Sequence, residues 1–511
     1  MSPTTPAAVP PPPGPTRTAP AATATRHRAE PSPSAARRAV PCTTAGPRTA
    51  GTGAAAAPRD LVGVGIGPFN LSLAALAQPL DALDTVFYDR RPAFRWHPGL
   101  LIDDATLQVP FLADLVTLAD PTSAWSFLAY LRRVDRLYPF YFAERFHVRR
   151  AEYDAYCRWV SEQLPGLYFG HRVDRIGWDA DRALLRVEVT RLTADGTPAG
   201  PPEAVHTRNV AVGIGSAPAV PGPLAPLLGG GAGAPVLHAA DYLPHRARLL
   251  AADHITVVGS GQSGAEVLLD LLRHRPAGAE RLHWLARTGA FAPMEYSKLG
   301  LEHFTPDYTR YFHALPEQTR DALLPRQWQL YKGIGADTIA AVHDELYRRT
   351  LHGGWPDVVL TPGVRVHAAR RTPDGSVELT LDHAEQGTRT RLRTQAVVLA
   401  TGYRERPPDR LLAPLGGRVH RDAAGRPRVD ERHRLVLAPE IARTGCRIYV
   451  QHAARHTHGV GAPDLGLAAW RSAGILNDLT GKDPYPQPRR TAFTTFGLRP
   501  APDPAADPGH P

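Results

Sequence analysis

Between about residues 58 and 482 the chain alternates short, almost wholly apolar runs with longer amphipathic ones. The stretches "LVGV" (61–64), "DTVFYDR" (84–90), "RNVAVGIG" (208–215), "HITVV" (254–258), "RLHWLAR" (281–287) and "TQAVVLA" (394–400) contain runs with the length and branched content of buried strands. "PFNLSLAAL" (68–76) and "SGAEVLLDLLR" (263–273) carry longer apolar patterns that predict helices. Strand and helix in alternation predict an α/β fold.

Two strand-to-helix joints are rich in glycine. In the first, Gly63, Gly65 and Gly67 make a turn that side chains would obstruct, and Pro68 sits in the first helical turn, where its missing N–H is harmless. Such a turn lets the backbone approach a pyrophosphate, and the free N–H groups of the helix start favour its charge. The next strand ends at Asp89, where a carboxylate can accept hydrogen bonds from a ribose. Pro68 replaces the third glycine of the usual pattern. In the second joint, Gly259, Gly261 and Gly264 satisfy G-x-G-x-x-G without exception. The following strand ends at Arg287 where an NAD site usually places an acid, and an arginine suits the 2′-phosphate of NADPH. The plainer alternatives are a tight turn and a surface arginine.

The strands at 208–215 and 394–402 end in Gly-x-Gly and in Thr401-Gly402, which suits a backbone lying against a flat cofactor. The pieces predict two Rossmann-like dinucleotide-binding domains. An FAD domain is split into 58–245 and 388–482, and an NADPH domain with substrate-site helices, 246–387, is inserted between its parts.

Composition trims the alternatives. Half of the formal net charge of +10 sits in residues 1–57, where six arginines face the single acid Glu30 among Pro, Ala, Thr and Gly. That stretch predicts a disordered arm, and 483–511 a flexible tail, so the basic charge does not mark a folded nucleic-acid surface. Cys42, Cys157 and Cys446 are isolated. They provide no zinc site, no disulfide framework and no redox pair of the kind a pyridine-nucleotide disulfide reductase needs, and they fit a reducing cytoplasm. No run of eighteen apolar residues occurs to span a membrane.

The stretches "GVGIGPFNLSLAAL", "FRWHPGLLIDDATLQVPFLADLVTLADPTS", "GSGQSGAE", "FTPDYTRYF", "VVLATGY" and "THGVGAPDLGLAAWRSAGILN" carry a resemblance from about residue 60 to 477. The chain resembles the flavin-dependent N-hydroxylating monooxygenases that act on ornithine, lysine or diamines for hydroxamate siderophores. The F-x-G-x-x-x-H signature of Baeyer–Villiger and drug-oxidising relatives is not met, because Ala234 stands four residues before His238. Gln395 replaces an acid usual in the family.

The resemblance implies that NADPH reduces FAD, that O₂ adds at the flavin C4a carbon, and that the hydroperoxide so formed oxidises a neutral primary amine. No metal and no side-chain acid or base is required. It implies Gln108 against the flavin near the substrate, Trp96 and His97 at the isoalloxazine edge (ordinary core packing being the alternative), and Thr401 and Gly402 along the flavin. Gln262, Ser263, Arg287 and Tyr403 would serve NADPH, and the small-molecule amine would meet Gln108, Ala113, Leu301, Gly333 and Gly466. A homo-oligomer, by resemblance a tetramer, is also implied.

Ornithine and lysine enzymes typically have Lys at the position of Ala113, Asn or Asp at that of Leu301, and Ser at that of Gly466. The loss of three polar contacts to an amino-acid head group predicts a substrate without a carboxylate, a diamine such as cadaverine or putrescine, since a buried unpaired carboxylate is costly. Its distal ammonium would want an anion, for which Glu295, Glu302 and Asp464 are candidates, each also readable as a solvated or structural acid. The alternative is L-lysine, its carboxylate held by another residue such as Lys298, with L-ornithine behind it.

Overall fold

The computed structural model describes residues 57–229, 233–351 and 353–498. The expected arm, but for its last residue, lies outside them. A seven-stranded sheet runs in the order Leu167–Phe169, Thr85–Asp89, Arg59–Val64, Glu203–Val212, Leu184–Arg191, His171–Asp179, with Arg447–Val450 also pairing to Glu203–Val212. Its first fingerprint strand is parallel to both neighbours, Leu61 standing opposite Thr85 and Asn209. All ten residues of the helix Pro68–Ala77 are buried between the sheet and its neighbours, among them the helices Arg150–Gln163 and Ala468–Thr480. That explains why its polar members Asn70 and Ser72 have partners.

The second sheet has five parallel strands, Val358–Thr361, Leu282–Leu285, Ile255–Val258, Ala396–Leu399 and Val236–His238, in that order. This moves the expected domain boundaries. Val236–His238 and Ala396–Leu399 fall within the expected flavin halves, yet both belong to the inserted sheet. The crossing lies instead at a two-stranded antiparallel pair, Ser216–Pro218 with Tyr403–Glu405, which follows Glu203–Val212 of the first sheet and Ala396–Leu399 of the second by a few residues. An apolar run shows that a strand is buried; it does not show in which sheet. Gln395, the departure noted above, accepts the His254 N–H at 3.0 Å at the other end of the second sheet, where Ala396–Leu399 and Ile255–Val258 begin. A three-stranded antiparallel sheet, Val364–Arg371, Val377–His383 and Thr388–Thr394, covers the insertion, and short helices from Lys298–Leu301 to Ala336–Thr350 complete it.

The tail expected to be flexible from residue 483 is anchored as far as Phe496. The Tyr485 hydroxyl donates to the Leu76 carbonyl at 2.6 Å. Asp307 accepts the N–H groups of Thr491 and Ala492 at 2.7 and 2.9 Å, and Glu302 those of Phe493 and Thr494 at 2.9 and 2.8 Å. Phe496 packs against Tyr308 and Tyr311. The segment has no secondary structure of its own, and its backbone donors are satisfied by carboxylates far back in the chain, which a Pro-rich composition conceals. Among the described residues, no helix is long and apolar enough to cross a membrane.

Candidate active site

The first fingerprint turn is as tight as its glycines imply. A Cβ on Gly63 would lie 1.9 Å from the Phe87 ring, and one on Gly65, at φ +86°, would lie 2.6 Å from the Gly213 carbonyl. Asn70 ties the turn, its Nδ2 donating to the carbonyls of Val64, Gly65 and Ala211 at 3.2, 2.8 and 3.2 Å. Gly67 stands in open space before Pro68–Ala77, and no side chain caps that helix. Its first N–H groups are therefore left for an anion. They open on a cavity of about 1370 Å³ lined by Gly65, Gly67, Pro68, Asp89, Trp96, His97 and His452, which fits a flavin dinucleotide.

Asp89 has a different task from the ribose contact expected of it. Its Oδ2 accepts the Ile66 N–H at 2.8 Å and an Arg91 guanidinium N–H at 2.7 Å, and its Oδ1 accepts Arg91 N–H and Nε–H at 2.8 and 3.0 Å. Burial pushes this carboxyl up, but the hydrogen bonds and charge of Arg91 outweigh it and hold the pKa below the ordinary range. With its acceptor positions taken by protein donors, Asp89 clasps the turn.

Trp96 and His97 both line the cavity. The Trp96 N–H donates to Asp154 at 2.7 Å, and its ring stands edge-on to Tyr153 and His97. Burial, then the charges of Arg150 and Arg91, push His97 down to about 4. Burial with Arg471 and Arg455 does the same to His452, also to about 4. The walls are therefore neutral imidazoles in a positive field.

The second fingerprint is tight as well. Gly259 has φ +125°, and its Cβ would lie 2.2 Å from the Ala400 carbonyl; a Cβ on Gly264 would lie 2.2 Å from the Gly259 carbonyl. Gly261 leads into the helix Gln262–His274, again without a side-chain cap. Its cavity, about 1330 Å³, is lined by Gly259, Gly261, Gln262 and Ser263. Arg287, Lys332, Arg365, Arg404 and Arg455 also line it, and no carboxylate does among the described residues, which fits a phosphorylated dinucleotide. Arg287 is exposed and makes no hydrogen bond or ion pair among the described residues. Gln262, by contrast, is committed: its Nε2 donates to Glu266 and Thr338, and its Oε1 accepts the Gly335 N–H at 2.8 Å.

Gln108, Thr401 and Gly402, expected along the flavin, line this second cavity instead. The Thr401 hydroxyl donates to the Ala219 carbonyl, and His238 Nε2 donates to the Gly402 carbonyl at 3.0 Å, so the turn after Ala396–Leu399 is braced from the insertion. Tyr403 lines both cavities, which meet there.

Of the remaining substrate positions, Gly333 lines the second cavity and packs so closely that a Cβ would lie 2.4 Å from the Met294 nitrogen. Ala113, Leu301 and Gly466 line neither cavity. Ala113 is buried in a turn closed by its N–H on the Pro110 carbonyl, Leu301 is 37% exposed, and the Gly466 N–H donates to Asp464 at 2.8 Å.

Sequence reasoning missed the pair that joins the two sheets' helices. Arg150, on Arg150–Gln163, grips Glu266, on Gln262–His274, through two hydrogen bonds of 2.9 and 2.8 Å, both residues being buried. The partners are 116 residues apart, and only the position of Glu266 directly after the fingerprint was a signal.

The comparisons agree with this geometry. Residues 57–405 match the family model described as L-lysine 6-monooxygenase/L-ornithine 5-monooxygenase. The rhizobactin siderophore biosynthesis protein RhbE of Rhizobium meliloti is 40% identical over 82% of this chain and 90% of its own. A putrescine N-hydroxylase of Shewanella oneidensis is 38% identical over 82% and 80%. The FAD-bound crystal structure of the desferrioxamine-pathway cadaverine monooxygenase from Erwinia amylovora superposes with a TM-score of 0.79 at 37% identity, covering 87% of this chain and 99% of that one. With two glycine cradles meeting at Tyr403 and a family match over residues 57–405, the chain belongs to the lysine 6-/ornithine 5-monooxygenase family of flavin-dependent N-hydroxylating enzymes.

Proposed function

We propose that this enzyme N-hydroxylates one terminal amine of a diamine, cadaverine or putrescine, for hydroxamate siderophore assembly, with FAD in the first cavity and NADPH in the second. The observation that carries the cofactor assignment is the meeting of two uncapped fingerprint helices' cavities at Tyr403. The diamine is supported by relatives named for putrescine and cadaverine. When bound, the two cofactors supply hydride transfer and the activation of O₂.

The chain's own residues bind, orient and favour the neutral form of the amine. Free N–H groups after Gly67 and Gly261 take the pyrophosphates, and Arg287 takes the 2′-phosphate. The Asp89–Arg91 clasp and Asn70 fix the turn under the first cofactor. A primary amine has a pKa of about 10.4 in water, and only its neutral form has a lone pair to oxidise. The wall opposes the cation twice: burial withdraws water, and Arg150, Arg91, Arg471 and Arg455, which keep His97 and His452 neutral, also disfavour a further positive charge at the reacting end. Neutral imidazoles beside the reacting amine do not compete with it as acids. The proposal extends to a cytoplasmic homo-oligomer, by family resemblance a tetramer.

The test is to follow NADPH oxidation and hydroxylamine formation together in the FAD-loaded full chain, offered cadaverine, putrescine, L-lysine and L-ornithine separately. Hydroxylated diamine with little from the amino acids supports the reading. Hydroxylated L-lysine in its place keeps the enzyme class and rejects the diamine.

A further inference from the structure

A diamine hydroxylated at one end has an ammonium at the other, and a partner for it can be sought among the acids around the two cavities. Glu295 is exposed to solvent and accepts the Ser297 N–H at 2.6 Å, and Glu302 holds the tail through Phe493 and Thr494. Asp464 differs. Pro463 and Leu465 on either side of it line the first cavity. Tyr296, close enough to feel its charge, donates to the carbonyl of Gln108, which lines the second. Asp464 lines neither cavity itself, but its two chain neighbours line the first and Tyr296 stands between it and Gln108 of the second.

Its carboxylate is only half satisfied. Oδ1 accepts the Gly466 N–H at 2.8 Å, and Oδ2 has no hydrogen bond or ion pair among the described residues. The nearest cation, Arg471, is turned to the carbonyls of Gln451 and Ala462 instead. Burial accordingly pushes the Asp464 carboxyl up to about 6, against the pull of the Gly466 N–H and the Arg471 charge. A buried carboxylate with an unused oxygen is costly unless a cation completes it.

Gly466 explains how the acid fits. A Cβ there would come within 2.8 Å of Asp464 Oδ1, so any side chain at 466 pushes the carboxylate aside. The absent side chain thus leaves Oδ1 in its present position on the Gly466 N–H.

We infer that the Asp464 carboxylate receives the distal ammonium of the substrate, and that Gly466 keeps it in place. This rests on the diamine reading above. The test compares kcat/KM for 1,5-diaminopentane with that for pentylamine, which lacks the distal ammonium, in FAD-loaded wild type, Asp464→Asn and Gly466→Ala. Asparagine retains an oxygen for the Gly466 N–H, while the alanine variant shifts the charge without removing it. FAD content and thermal midpoint check that both variants fold.

The wild type is expected to prefer the diamine at least about tenfold, and both variants to lose at least that factor, about 1.4 kcal/mol. Calorimetric titration of 1,5-diaminopentane into the holoenzyme should weaken in parallel. A diamine-preferring wild type whose Asp464→Asn variant keeps the ratio within about twofold overturns the assignment of Asp464 alone. A wild type that hydroxylates L-lysine and neither amine overturns the diamine reading, and this inference with it.

Discussion

Replacing Glu266 by Gln keeps the shape of the residue and removes the charge that answers Arg150. Both side chains are buried, at 5% and 8% exposure, and Glu266 takes two hydrogen bonds from Arg150 and one from Gln262. The variant leaves a guanidinium in the interior facing an amide with one acceptor oxygen, and breaking a buried pair from one side costs about 3–5 kcal/mol. At roughly 2.1 cal/mol/K of unfolding entropy per residue, a loss of 4 kcal/mol in a chain of this length lowers Tm by about 4 °C. Removing both charges, as Arg150→Met with Glu266→Met, should cost less than either single change, because no ion is then left unpaired. Thermal unfolding of FAD-saturated protein by circular dichroism, read over the complete cycle, is the assay. A midpoint within about 1 °C of wild type for Glu266→Gln, or a double variant that loses the sum of the singles, would refute the claim that this pair couples the two sheets' helices.

Three further outcomes follow from the same structure. Arg287→Ala should reduce the preference for NADPH over NADH at least about tenfold, read from kcat/KM for each, because Arg287 is left without a protein partner at the cavity edge; an unchanged preference argues that Lys332 or Arg365 serves instead. Ending the chain after Asp483 removes Tyr485 and Phe496 from their packing and strips two carboxylates of four backbone donors, so Tm should fall by several degrees, as about 1.5–3 kcal/mol per buried aromatic implies.

Stability should be level above about pH 6.5 and fall as pH drops from there towards 4. His97 and His452, at about 4 when folded, take up protons only on unfolding in that window, each worth up to about 1.4 kcal/mol per pH unit. Buried His433 and His458 act in the same direction. Asp464, raised to about 6, acts in the opposite one, as do Asp114 and Glu405, since the folded state protonates them first, but among the described residues they are three groups against seven lowered histidines, His238, His283 and His456 included. Midpoints measured from pH 8 to pH 5 that stay flat would contradict this.

What the sequence made legible was local. The strand–glycine–helix joints at 63–68 and 259–264 specify their own geometry within a few residues, and the structure places both as read. What it did not make legible depends on partners. Ala396–Leu399 is continuous in sequence with the flavin half and yet pairs with Ile255–Val258. Asp89 looked available to a ribose, although Arg91, two residues on, already supplied its counter-charge. Ala113 and Leu301 read as cavity residues because a substituted polar residue marks a change of chemistry, but not how far the side chain stands from the ligand. The tail hid its anchors Tyr485 and Phe496 in Pro-rich surroundings, because their docking sites lie on distant helices.

The measurement that bears most directly on the account is a competition. The FAD-loaded chain is given NADPH and ¹⁸O₂ with cadaverine and L-lysine together at equal concentration, and the products are read by mass spectrometry. The account predicts N-hydroxycadaverine carrying one ¹⁸O atom and little labelled product from L-lysine. Labelled N6-hydroxylysine as the main product, or NADPH consumed to peroxide with neither amine labelled, would contradict it.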